Sequence, residues 1–510
     1  MSYKGGAPAE VGVYLYTSCI RHIIESAFPV WCTIGVDSYK KLEEVQRTAL
    51  RYATGTRFNT SLSTLEAMTK TPPICLRLEE RLVCEITRIL STAENDPVKV
   101  LFIERMNDVN FMKEKRLSVI HIAKPLFREL GMSLDTVAKN IEIAASSQLP
   151  PSTVFPNIIE IDDGKWGNSG NRSSEQIKNA KDATASFLQL LPKDTVPVFT
   201  DGSALKNPGP CGASAVLYRD GLSCEPSVVN KSVSLCSTSF HGELVGLDLA
   251  VESGLKAQQH SDMKCLHIFC DCRSAIKSVS SFKCLKSHNQ VKTAFLEKVA
   301  ELKSKHIQVN LTWVAGHVDL IPNEIADVSA KDAALKAAQS KNLMPAVTKA
   351  SIKAHARNWL VKRWNRAWSY GVTGRKYCEL HPHVECKTLR SQLPCYLERL
   401  LLRLRSFNTD LRGETLWKAS LHEDFSALCE CGMPETYQHV LLDCPLLEDL
   451  RTEMEIQLMK IYSKYDVPSY QRTVDLLTMM GAEDRRLKIE VQAQLDFHIA
   501  NFLLKSKRSI

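Results

Sequence analysis

The chain lacks any apolar run of about 18 residues, the length a helix needs to cross a bilayer, so no membrane partner is expected. Its start, Met1-Ser2-Tyr3-Lys4-Gly5-Gly6, has no basic stretch leading into an apolar core, which argues against a secretory signal. The 17 cysteines cannot all pair, and an odd set scattered along a long chain points to reduced thiols. An intracellular protein is expected, in the nucleus or the cytoplasm and not secreted. No internal repeat emerges. No excess of one charge dominates either, and the net +8 is a mild lean toward polyanions. That lean is local: from Ser351 to Ser420 there are 14 Lys and Arg against 5 Asp and Glu.

What is present suffices for about three domains in 510 residues. The first part reads as helices, at Leu15–Ala27, Ser38–Ala53 and, after Pro72-Pro73, Leu76–Leu90. Residues 111–192 read as a linker region, with Pro150-Pro151, the polar cluster Asn168 to Ser174 and a short helix at Ala180–Leu190. From Val196 the pattern changes. Strands are expected at Val196–Thr200, Cys211–Tyr218, Val228–Leu235, Leu266–Cys270 and Val309–Val314. Helices are expected from Ser237 or Thr238 to Ala257, then at Ser274–Val279, Val291–Lys305 and Asn323–Gln339. Three strands followed by alternating helix and strand define an α/β fold with a mixed five-stranded sheet and flanking helices. The regions on either side are α-helical.

Four carboxylates stand out. Asp201 follows the first strand and Asp271 the fourth; Glu243 and Asp327 lie in the opening turns of two helices. Ends of strands gather at one sheet edge, so the four can meet. By position alone, an Asp at a strand end is more often a cap or turn residue than a ligand. Brought together, four carboxylates raise one another's pKa, a cost that divalent cations remove. Hard oxygen ligands suit Mg2+ or Mn2+.

The local sequences are more specific than position. Thr200-Asp201-Gly202-Ser203-Ala204-Leu205-Lys206-Asn207-Pro208-Gly209-Pro210-Cys211-Gly212, Phe240-His241-Gly242-Glu243-Leu244, Phe269-Cys270-Asp271-Cys272-Arg273-Ser274-Ala275, and Trp313-Val314-Ala315-Gly316-His317 running on to Asn323-Glu324-Ile325-Ala326-Asp327 occur in this order. Together they resemble the ribonuclease H domain of non-LTR retrotransposon polyproteins. The resemblance implies a ribonuclease H-like fold and hydrolysis of the RNA strand of RNA–DNA hybrids by two Mg2+ or Mn2+ ions. It implies Asp201 bridging both ions, Glu243 and Asp271 on the first, Asp327 on the second, and His317 assisting turnover. Asn207 and the backbone at Gly202 and Ser203 would meet the RNA ribose. Cys272, Asp319 and Pro322 stand where the family has serine, glycine and glycine, and Ser239 and Phe240 where cellular enzymes often have two asparagines. The alternative to an active enzyme is a weak or inactive nucleic-acid-binding remnant.

The first helices, with Ile20-Arg21-His22-Ile23-Ile24-Glu25, Pro29-Val30-Trp31 and Lys41 to Arg51, resemble the region after the palm of a non-LTR reverse transcriptase. No Tyr/Phe-x-Asp-Asp motif is found; Glu160-Ile161-Asp162-Asp163 is the nearest match, so no polymerase activity is expected. The resemblance implies the C-terminal portion of a longer polyprotein. Cys429-x-Cys431, His439 and Cys444 have zinc-ligand chemistry, although the spacing alone equally fits buried thiols. The resemblance, which includes this tail, favours one Zn2+. Trp359, Trp364 and Trp368 read as the buried face of an amphipathic helix, and its basic face fits either solvent or a nucleic-acid surface. The expected organisation is thus a helical region at 1–110, the linker region at 111–192, the ribonuclease H domain at 193–340, a basic helical region at 341–412, the knuckle-like segment at 413–455 and C-terminal helices at 456–510. The sequence leaves the oligomeric state open.

Overall fold

The computed structural model describes residues 7–113, 118–143, 155–162, 166, 172–219, 221–259, 262–281, 289–340, 347–386, 392–415, 425–482 and 487–508. Pro150-Pro151, Asp163 and residues 168–171 of the polar cluster lie outside them. The chain divides into two compact units, residues 82–357 and residues 1–81 with 358–510.

Residues 82–357 hold a mixed sheet of strands β1 (Asn157–Ile158), β2 (Thr195–Ala204), β3 (Gly209–Leu217), β4 (Ser227–Ser237), β5 (Cys265–Cys270) and β6 (Gln308–Trp313). The order across the sheet is β1-β6-β5-β2-β3-β4. β2, β3 and β4 form an antiparallel meander, while β5 lies parallel to β2, and β6 parallel to β5. Side chains alternate between the faces of a strand. Accordingly Val196 and Val198 point into one core with Ile268, Leu247, Val251, Phe295 and Val299. Phe199 points into the other with Phe269, Val216, Leu188 and Ala326. Helices Ser239–Gln258 and Asn289–Ser304 supply the first layer, and helices Ser174–Gln189 and Ile321–Gln339 contribute to the second.

The sheet has six strands where five were expected. The sixth, β1, pairs parallel with β6 through Asn157 and Ile158, and two residues are too few to display a period. The stretch 111–192, expected as a linker region with one short helix, carries further regular structure. Besides β1, the stretch forms helices Val119–Glu129, Leu134–Asn140 and Ser174–Gln189. The last begins six residues earlier than expected because Ser173 caps it: Gln176 N donates to Ser173 Oγ at 3.2 Å, and Ser173 N donates to Gln176 Oε1 at 2.9 Å.

The other unit is helical. Helices Ala9–Leu15, Val36–Thr54 and Leu62–Thr69 pack around Tyr16, Leu50 and Leu65. Helices Cys395–Arg405, Glu448–Lys464 and Ile489–Ser506 pack around Leu401, Leu404, Leu458, Leu495 and Ile499. Trp359, Trp364 and Trp368 are buried, while Lys362 and Arg366 are exposed, as the amphipathic pattern requires.

Candidate active site

β2 and β5 run parallel, so Asp201 and Asp271 lie toward the same end of the sheet. Asp201 was expected just past its strand, but β2 continues to Ala204 and Asp201 pairs with Ser214 of β3. Glu243 is brought over β2 by the helix that Thr238 caps. The approach is close: a Cβ on Gly202 would lie 2.0 Å from Glu243 N. No other residue type fits there, because the obstacle is backbone.

Asp201, Glu243 and Asp271 each offer an oxygen within 4.8 Å of the others. Asp201 and Glu243 are each 7% exposed. Asp327 is not in that trio; it groups with His317 and Glu324, again within 4.8 Å. The two groups nonetheless act on each other. Burial first, then the charges of Asp271 and Asp327, push the Asp201 carboxyl up to about 7, and Lys331 opposes them. Glu243 is raised by burial and then by Asp201 and Asp271. Asp271 is raised by burial, against the pull of His317 and a hydrogen bond from Asn323. Three carboxylates all raised above their ordinary range form a donor set short of positive charge. Oxygen donors of this kind fit a hard divalent cation.

Glu324 and Lys331 were missed as site residues. They stand three residues before and four residues after Asp327, on its helical face. Lys331 Nζ donates to Asp327 Oδ2 at 2.5 Å, so a cation already faces this part of the site. Cys270 was also missed; its Sγ lies 3.7 Å from Glu243 Oε2. Of the residues expected at the RNA ribose, Asn207 is exposed and bonds the start of the Glu243 helix. Its Nδ2 donates to Ser239 Oγ at 3.0 Å, and Ser239 N donates to its Oδ1 at 3.1 Å. Ser203 is half-buried on β2, and Gly202 lies beneath Glu243.

In the helical unit, Cys429, Cys431, His439 and Cys444 also converge within 4.8 Å. Cys429 Sγ and Cys444 Sγ are 3.8 Å apart, and Cys431 Sγ lies 3.2 Å from His439 Nε2. The tight turn carries Gly432 at φ +88°, and Cys429 N donates to Met433 O at 2.7 Å. A backbone hydrogen bond at Met433 lowers the Cys431 thiol pKa. Three thiols and an imidazole so placed are a soft, tetrahedral-type donor set that fits zinc.

Residues 193–335 match the family model for RNase H, and this segment is an RNase H domain. It is similar to the N-terminal RNase H domain of rv2228c from Mycobacterium tuberculosis, solved as a fusion with maltose binding protein. That match has 22% identity and a TM-score of 0.23, covering 28% of this chain and 96% of the other. It is also similar to RNase H1 from the halophilic archaeon Halobacterium salinarum NRC-1, at 19% identity and a TM-score of 0.23, covering 28% and 98%. Among curated proteins none matches the chain.

Proposed function

We propose that residues 193–340 hydrolyse the RNA strand of RNA–DNA hybrids, with two Mg2+ or Mn2+ ions held by Asp201, Glu243, Asp271 and Asp327. The observation that carries this reading is the convergence of Asp201, Glu243 and Asp271 within 4.8 Å, inside the segment that matches the RNase H model. Divalent cations, when bound, supply Lewis acidity for displacement at a phosphodiester and a water acidic enough to attack. The protein contributes the geometry. β2 and β5 hold Asp201 and Asp271 on a rigid sheet, and the Gly202 contact fixes Glu243 above them. Exposed His317 lies beside Asp327 at the rim, where it can pass a proton to or from a departing strand. The ribose contacts of a hybrid fall to Asn207, Gly202 and Ser203, where a 2′-OH distinguishes RNA from DNA.

The four motifs, in family order, support descent from a retroelement, and the absent Tyr/Phe-x-Asp-Asp supports a chain that does not extend primers. The Cys429, Cys431, His439 and Cys444 cluster holds one zinc in this reading. Retention of every carboxylate favours catalysis over a binding-only remnant. The test is cleavage of a labelled hybrid by the full chain, with and without Mg2+. Metal-dependent release of RNA fragments is expected; an intact hybrid under all metals would refute the reading.

A further inference from the structure

Between β6 and the Ile321–Gln339 helix, a loop passes over the Asp271 carboxylate. At Gly316 the approach is close, and a Cβ there would lie 2.4 Å from Asp271 Oδ2. The next residue, His317, has φ +56°, a left-handed conformation that a side chain adopts at a cost unless its surroundings hold it. What holds this loop comes from before the segment that matches the RNase H model.

Arg172 donates from Nη1 to Gly316 O at 2.7 Å and from Nε to Trp166 O at 3.1 Å. Trp166 is 3% exposed, and its ring lies against that of Trp313, with centroids 5.5 Å apart. Trp313 Nε1 donates to Asp271 O at 2.8 Å, which ties the same assembly to the backbone of the carboxylate. Arg273 covers the Trp313 ring at 3.7 Å and pairs with Asp162. Arg172 and Trp166 thus grip the loop that lies against Asp271 and carries His317, and Trp313 holds the Asp271 backbone. A guanidinium suits this place because its fixed fork reaches two carbonyls at once.

We propose that Arg172, seated on Trp166, is a positioning residue: it holds the Gly316–His317 backbone against Asp271, which makes Asp162, Trp166 and Arg172 part of the catalytic unit. The consequence for turnover rests on the ribonuclease reading above; the consequence for the loop does not.

The experiment uses the full chain with Arg172→Ala and Arg172→Lys. Hydrogen exchange followed by mass spectrometry reads the amides of 314–318. Loss of a hydrogen bond from a charged donor should speed their exchange about tenfold in Arg172→Ala, with Arg172→Lys in between, while β2 amides keep their wild-type rates. Unchanged exchange at 314–318 overturns the proposal whether or not the protein cleaves hybrids. In turnover, kcat should fall roughly tenfold with KM for the hybrid unchanged. Combined with His317→Ala, Arg172→Ala should add little, because both act through one loop. A fully additive double variant also overturns it. A failure of the ribonuclease reading looks different: wild-type protein would leave hybrids intact, and the exchange result would still decide the role of Arg172.

Discussion

In the proposed ribonuclease reading, Asp201 is the residue on which the chemistry turns. It groups with Glu243 and Asp271, and burial first, then the charges of Asp271 and Asp327, raise its carboxyl pKa. Asp201→Asn keeps the shape and removes a charge, so hybrid cleavage should fall by at least about a thousandfold while the melting temperature holds or rises. Undiminished cleavage by that variant would remove Asp201 from the site. Glu66 shows burial acting on a carboxyl that is not a proposed ligand. It is 4% exposed and accepts a hydrogen bond from Gln46 Nε2 at 2.7 Å. Burial is the main cause that lifts its pKa from 4.5 to about 8. A carboxyl whose folded pKa lies above its unfolded one favours the fold at low pH. That contribution is full below 4.5 and is lost as pH climbs toward about 8. Glu66→Gln keeps the Gln46 contact without titrating, so its melting temperature should gain on the wild type between about pH 5 and about pH 9. A constant difference across that range would place the Glu66 pKa in the ordinary carboxylate range.

At the scale of elements, the site depends on how near one helix comes to one strand. Gly202 faces Glu243 N and, from the helix side, a Cβ on Gly246 would lie 3.1 Å from Asp201 O. Gly202→Ala must therefore push the Ser239–Gln258 helix off β2. Overpacking of this kind costs about 1–3 kcal/mol, and here it also carries Glu243 away from Asp201. The variant should show a lower melting temperature and a loss of cleavage larger than the stability change explains; wild-type turnover would mean the helix is not what sets Glu243. The elements themselves were largely legible. The five longer strands and the flanking helices follow from period and length, and the Thr238 cap from its residue type. β1 was not, because its two residues owe their pairing to β6 rather than to any pattern of their own.

At the scale of the whole molecule, the two acidic groups lie in residues 82–357 and the Cys-Cys-His-Cys cluster in the other compact unit. The two sets share no ligand. Metal binding at a small thiol site is also folding energy, because its ligands are not arranged in the unfolded chain. A chelator strong for zinc but sparing magnesium should therefore release about one zinc per chain and loosen the region from Cys429 to Arg451. Cleavage of short hybrids should persist. Elemental analysis of reduced protein is the direct check, and an unaltered zinc content in Cys444→Ser would leave these cysteines as buried thiols.

Sequence alone determined which residues are proposed to carry the chemistry, because Asp201, Glu243, Asp271, His317 and Asp327 stand in local motifs whose residue types and order are readable one segment at a time. It also determined the alternation that sends Val198 and Phe199 to opposite cores. Only the tertiary structure decided how the acids divide, three in one group and Asp327 with Glu324 and His317 in the next. Only it decided that Lys331 would face Asp327 and that Arg172 would reach Gly316 across 144 residues of chain. The reason is physical: periodicity and motif depend on neighbours along the chain, whereas the distance between two side chains depends on how far the elements carrying them can approach. Here small residues set that approach, Gly202 beneath Glu243 and Gly316 against Asp271, and neither contact leaves a period in the sequence.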